Sequence, residues 1–142
     1  MRGIIFAPIT GPLVIYLRAQ LLASAETYTS DVLVRSQLPS SSSYQKRMVV
    51  VRDDGGTDRG PISDRAISVN VWAEDSPTAD LLCRYSIALF KKLPDGAPIV
   101  GVQTFSGPFE VISQTTGKID VNGVTLSQYF FTFDALQRGE NI

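Results

Sequence analysis

Apolar and polar positions alternate most cleanly over residues 66–73, AISVNVWA, where Ile67, Val69 and Val71 fall on one side and Ser68, Asn70 and Trp72 on the other. A period of two is the signature of a half-buried strand. Shorter strand signals lie upstream: DVLV, with Val32 and Val34 alternating against Leu33 and Arg35 and ending near Pro39, and MVVVR at residues 48–52. Near the C-terminus, VTLSQYFFTFDAL places Tyr129, Phe131 and Phe133 on one face and Gln128, Phe130, Thr132 and Asp134 on the other. The stretch PIVGVQTFSGPFEVI is interrupted by Gly101, Gly107 and Pro108, which predicts two short extended pieces.

Two segments carry the helical period instead. From Pro12, PLVIYLRAQLLASAE sets Leu13, Val14, Leu17 and Leu21 on one side, while Ile15, Ala19 and Leu22 extend the apolar surface nearly all round. Proline is tolerated at the first helical position, and a helix so apolar is buried or meets a neighbouring chain. In SPTADLLCRYSIALFKKL, Ser76 is the expected N-cap and Pro77 the first helical residue. Ala79, Leu82, Cys83, Ser86, Leu89, Phe90 and Leu93 form its apolar stripe, Lys91 and Lys92 complement the helix dipole, and Pro94 ends it, with PDG as a turn. Residues 40–47, SSSSYQKR, and the turn-rich SQTTGKIDVNG read as polar loops. The order is helix, three strands, helix, then two or three strands. It predicts an α+β fold: a mostly antiparallel sheet of about five strands with two helices packed on it, in one domain spanning residues 1–142.

Composition narrows the chemistry. The 142 residues carry 44% apolar and only 19% charged side chains, so a sizeable core is available and much of the surface is uncharged. A net charge of −1 gives no pull toward nucleic acid or anionic lipid. There is no histidine, hence neither the commonest general base nor the commonest transition-metal ligand. One cysteine, Cys83, permits no internal disulfide and no zinc cluster, and its place on the second helix's stripe marks it as an inert core thiol. The N-terminal MRGIIFAPITGPLVIYLRAQLLASAE imitates a secretory signal, but Gly3, Pro8, Gly11 and Pro12 break its apolar run, and Arg18 and Gln20 fall where a cleavage region is small and neutral. The expectation is that it is not a signal. The run is also too short and interrupted to span a bilayer.

The segment most open to a chemical reading is VRDDGGTDRGPISDR. Asp53, Asp54, Asp58 and Asp64 could supply oxygen ligands to Ca²⁺ or Mg²⁺. The spacing lacks an EF-hand's alternating carboxylates and distal glutamate, and Arg52, Arg59 and Arg65 would compete for the aspartates. No phosphate-loop pattern occurs, no G-x-S-x-G elbow occurs, and no histidine could activate a serine. The stretch is therefore expected to be a solvated link between two strands, rich in tight-turn dipeptides, whose charges pair within the chain or with a neighbouring subunit. Trp72 is expected to be a packing anchor at the sheet rim.

Taken in order, the pieces DVLVRSQLP, VVVRDDGG, DRAISVNVWA, a helix closing on LPDG, and a final aromatic strand ending in QRG resemble the tail terminator proteins of long-tailed, siphovirus-type bacteriophages. The likeness runs from about Pro12 to Gly139. It implies a structural subunit, without catalysis or cofactor, that closes into a homo-oligomeric ring, commonly a hexamer. Such a ring sits at the neck of the virion, caps the tail tube, stops its polymerisation and docks to the head-side connector or head-closure protein. Nucleic-acid sequence recognition and membrane binding are not expected. Interface residues expected on this reading are Arg52, Asp53, Asp54, Asp58, Arg59, Asp64 and Arg65, with Tyr44, Lys46 and Arg47 of the serine-rich loop; helix one would add apolar contact. Other classes stay open at this point: another neck or minor tail protein of the head-closure type, a small metal-dependent hydrolase using the aspartate cluster, and an exported binding module.

Overall fold

The computed structural model describes residues 3–94, 98–112 and 118–141. Its centre is a five-stranded sheet in the order β2-β3-β4-β8-β5, formed by β2 (Leu33–Arg35), β3 (Met48–Arg59), β4 (Ile62–Ala73), β8 (Ser127–Arg138) and β5 (Ile99–Glu110). All neighbours are antiparallel except β2 and β3, which run parallel. Two further two-stranded pairs complete it: β1 (Ile4–Ile5) with β9 (Glu140–Asn141), and β6 (Asp120–Val121) with β7 (Val124–Thr125). Helices α1 (Thr10–Ala23) and α2 (Ser76–Lys91) pack on one face of the large sheet, giving the α+β fold that the residue pattern predicts.

The register explains the core. Val49 faces Val71, Val51 faces Val69, and these continue into Tyr129 and Phe131 on β8, with Ile67 opposite Phe133. That row meets Leu13, Leu17 and Leu21 of α1 and Leu82, Cys83 and Phe90 of α2 in one buried cluster. The opposite parity, Met48, Val50 and Trp72, is covered at one end by Ile119 and Leu126, which flank the β6–β7 hairpin. Trp72 is thus buried against its own chain.

Four local expectations need correction. The Asp-Gly-Arg stretch is not a loop: residues 53–59 continue β3, residues 62–65 begin β4, and only Gly60 and Pro61 turn. Pairing along the whole of β4 by β8, from Ile62–Arg138 to Ala73–Ser127, imposes strand geometry that the local turn chemistry does not favour. The segment after Pro98 is one twelve-residue strand, because irregularities in register after Ile99, Gln103 and Ser106 absorb its breakers. The cap of α2 is Asp75, not Ser76: its Oδ1 accepts from the Thr78 amide at 2.8 Å, and Ser76 instead exchanges a 2.8 Å hydrogen bond with the Tyr129 hydroxyl. Helix α1 begins at Thr10, two residues before Pro12, with no side-chain cap. The expected turn at Asp95 and Gly96, and residues 113–117 of the expected loop, lie outside the described residues.

Candidate interaction surface

β2 covers β3 only at residues 48–50, so residues 51–59 form an outer edge of the sheet. A long bare edge invites pairing with another chain, and charged side chains and bulges blunt it. Both devices are present. Between Asp53–Ile67 and Gly56–Arg65 the register slips, leaving two β3 residues opposite Ala66, with Gly55 at φ +102° and its amide donating to Asp53 Oδ1 at 2.9 Å.

The bulge brings the aspartates and arginines together in pairs. Arg65 Nη2 lies 3.1 Å from Asp53, with both side chains about one-quarter exposed. Arg52 Nε donates to Asp54 at 2.6 Å, and the Ser68 hydroxyl donates to the other oxygen of Asp54 at 2.5 Å. Burial acts to raise the Asp54 carboxyl, but these hydrogen bonds and the Arg52 charge hold it below its ordinary value. Ser63 donates to Asp58 at 2.6 Å, and Arg59 reaches Asp64 at 3.2 Å. Each carboxylate of the segment therefore faces a cation or hydroxyl of the same hairpin. Among the described residues, no three His, Cys, Asp or Glu side chains are grouped as a metal centre would need.

The serine-rich segment contains one 3-10 turn at Ser41–Ser43. Tyr44 leans onto the small cluster beneath Trp72 and is half-buried. Lys46 is mostly exposed, 3.5 Å from Glu74. Arg47 is tied inward: its Nε and Nη2 donate to the Glu74 carboxylate at 2.9 and 3.1 Å, and Nη1 to the Thr27 and Ser30 carbonyls at 2.7 and 3.1 Å. It staples the 3-10 turn Thr27–Thr29 to the end of β4. Glu74 and the two carbonyls are partners that sequence spacing did not single out, because they lie 17 to 27 residues away.

The hydrogen bonds from Arg47 hold the Glu74 carboxyl below its ordinary value of 4.5 against the opposing effect of burial. A carboxylate with a depressed folded pKa contributes stability that is present above its unfolded value and lost as pH falls through the folded one. Arg47→Met should therefore lower stability by about 1.5 kcal/mol at neutral pH. The gap to the parent protein should narrow once pH drops below 4.5; urea titrations at several pH values measure both. A gap that stays constant down to acid pH would show that Glu74 is not the group concerned.

Cys83 is fully buried, and burial pushes its thiol up to about 12, which leaves little thiolate for nucleophilic chemistry. No helix among the described residues is long and apolar enough to cross a membrane.

Among the described residues, apolar side chains remain in solvent at several places, on α1 and at the exit of β5 among them. On α1, Leu13, Val14, Leu17 and Leu21 are buried, but Ile15 is 66% and Leu22 86% exposed. With Arg18 and Ala19 they make a second stripe at helical spacing, which is why the helix reads as apolar nearly all round. Burying a side chain of this size is worth about 1.5–3 kcal/mol, a sum that folding of the single chain leaves unrealised. At the far end of the sheet, the exit of β5 exposes Phe109, Val111 and Ile112. No family model matches the chain, and no curated protein matches it.

Proposed function

We propose that this protein is a tail terminator of a long-tailed bacteriophage: a structural subunit that assembles with copies of itself into a ring, commonly a hexamer, at the top of the tail. The ring caps the tube, ends its polymerisation and presents the docking surface for the head-side connector. The observation that carries the reading is the exposed apolar stripe of α1, a helix whose opposite side is already in the core. A heterologous contact, in which two different faces meet and rotation closes the circle, uses a surface of this kind. The ordered sequence resemblance supports it. So does the α+β architecture with its charge-dressed outer edge on β3, which is suited to side-chain contacts with a neighbour. On this reading the protein acts without a cofactor in the virion neck, after assembly in the host cytoplasm.

The test is the solution mass of the purified protein, followed by electron microscopy of any ring beside isolated tails. Arg52→Glu with Arg59→Glu should reduce ring formation or tail joining without unfolding the subunit. Both pairs are exposed, and exposed ion pairs contribute only about 0–1 kcal/mol to stability. Tails of ordinary length that still join to heads would show that this edge is no interface. Tails lacking the protein altogether but ending at their normal length would overturn the terminator reading.

A further inference from the structure

We infer that the α1 stripe of one copy receives the end of β5 from the next, so that neighbouring subunits join across the two opposite ends of the sheet. The inference rests on the ring reading and names the surfaces that close the ring. On one side lies a groove of about 530 Å³ between α1 and β2, lined by Gly11, Val14, Ile15, Arg18, Leu33 and Arg35. Its apolar floor carries two arginines. Arg18 Nη2 donates to the Val34 carbonyl at 2.6 Å, and neither Arg18 nor Arg35 has a carboxylate partner among the described residues. The bond to Val34 also occupies an acceptor of β2, so this end of the sheet is suited to side-chain docking, not to addition of a strand.

On the other side, β5 is the opposite outermost strand, and it leaves the sheet with the sequence Phe109-Glu110-Val111-Ile112. The Val111 amide still donates to the Gln128 carbonyl at 2.9 Å, which holds this segment in the line of the sheet. Phe109 is 45%, Val111 37% and Ile112 74% exposed, and Glu110 between them has no ion-pair partner among the described residues. An apolar groove with two cations that have no carboxylate partner among the described residues thus matches an apolar strand end with one carboxylate that has no cation partner among them. The two surfaces belong to opposite ends of the strand order, so they cannot meet within one sheet. A second copy supplies the partner, and the contact is head-to-tail, as a ring requires.

Sedimentation of the full chain over a dilution series reads whether copies associate at all. Chains carrying Ile15→Cys or Ile112→Cys are then treated, separately and mixed, with a short bismaleimide; both positions face solvent, and the native Cys83 is buried. The expected result is a linked pair in the mixture only, with neither chain linking to itself, and at least tenfold weaker association for Glu110→Arg. Association without the mixed product would leave the ring reading standing and overturn this docking, the stripe then belonging to another occupant such as the tube. Self-linking of Ile15→Cys would overturn it in favour of a two-fold contact. A chain that stays monomeric at every concentration, with no linked product, would overturn both readings for the free protein.

Discussion

Phe90→Ala should lower the unfolding free energy by about 3–5 kcal/mol, the range for removing a large aromatic from a packed core. Phe90 is fully buried and its ring meets three others: Tyr16 on α1 at 6.0 Å between centroids, Phe131 at 6.1 Å and Phe133 at 5.0 Å on β8. Truncation opens a void at the meeting point of both helices and the sheet. The surroundings cannot close over it cheaply, because Phe131 and Phe133 are fixed by pairing with Val69 and Ile67 of β4 and Tyr16 is anchored by its hydroxyl, which donates to the Leu89 carbonyl at 2.6 Å. A domain of this kind is stable by only about 5–15 kcal/mol, so the loss is a large share of the total. Urea unfolding checks it: the midpoint should fall with little change in slope. Leu81→Ala, at a helix position 46% exposed, is the control and should cost far less. A Phe90 variant within 1 kcal/mol of the parent would mean that the helices do not pack on β8 as described.

The same core is legible in the sequence. A strand half-buried on a sheet must alternate, and residues 66–73 do so; their partition into Ile67, Val69, Val71 and Ser68, Asn70, Trp72 is the one the register shows. Helix α2 was legible because its stripe and its proline near the start are local features, although the choice between Asp75 and Ser76 as cap depended on which side chain Tyr129 would claim. The far half of β3 was not legible. Asp53, Asp54, Gly55 and Gly56 have turn chemistry, and what makes them a strand is the partner strand β4, itself held along its full length by β8. Likewise Gly101, Gly107 and Pro108 mark breaks locally, whereas pairing with β8 carries the strand through them by slipping register.

The candidate surface was legible in composition but not in arrangement. Arginines interleaved with aspartates predict compensation of charge; Asp53, Asp54 and Asp64 each face an arginine, while Asp58 accepts only from the Ser63 hydroxyl. Which pairs form could not be read, because the pairing depends on one inserted residue. The bulge at Asp54 and Gly55 sets the diagonal that brings Arg65 to Asp53. Arg47 stood in the segment expected to serve as an interface, yet most of its donors are engaged within the subunit; only the three-dimensional proximity of Thr27, Ser30 and Glu74 reveals that role. The outward stripe of α1 was visible as excess apolarity, and its separation from the buried stripe needed only the helical period.

Gly56→Ala should destabilise the protein by about 3 kcal/mol, the upper part of the range for forcing atoms into occupied space. A Cβ on Gly56 would overlap the carbonyl oxygen of Asp64 and stand 2.7 Å from its carbon and 2.9 Å from the Cα of Arg65. These are backbone atoms of β4, and β4 cannot retreat, since Asp64 and Arg65 are paired on their other side with Leu136 and Ala135 of β8. Relief therefore means parting β3 from β4 beside the bulge, which would also loosen the Asp53–Arg65 pair. The neighbouring glycines separate close approach from backbone conformation. Gly60 sits at φ +61° with open space around its Cβ direction, a setting asparagine tolerates, so Gly60→Asn should change stability by no more than about 0.5 kcal/mol. Asp53→Asn weakens only a partly exposed ion pair and should cost about 1 kcal/mol or less. The expected order, Gly56→Ala well above Asp53→Asn and Gly60→Asn least, makes steric fit and not charge the stronger constraint on this edge. Equal midpoints in urea for Gly56→Ala and Gly60→Asn would refute the close approach of the two strands. Residues 53–59 would then behave as the freely solvated link that their turn chemistry predicts.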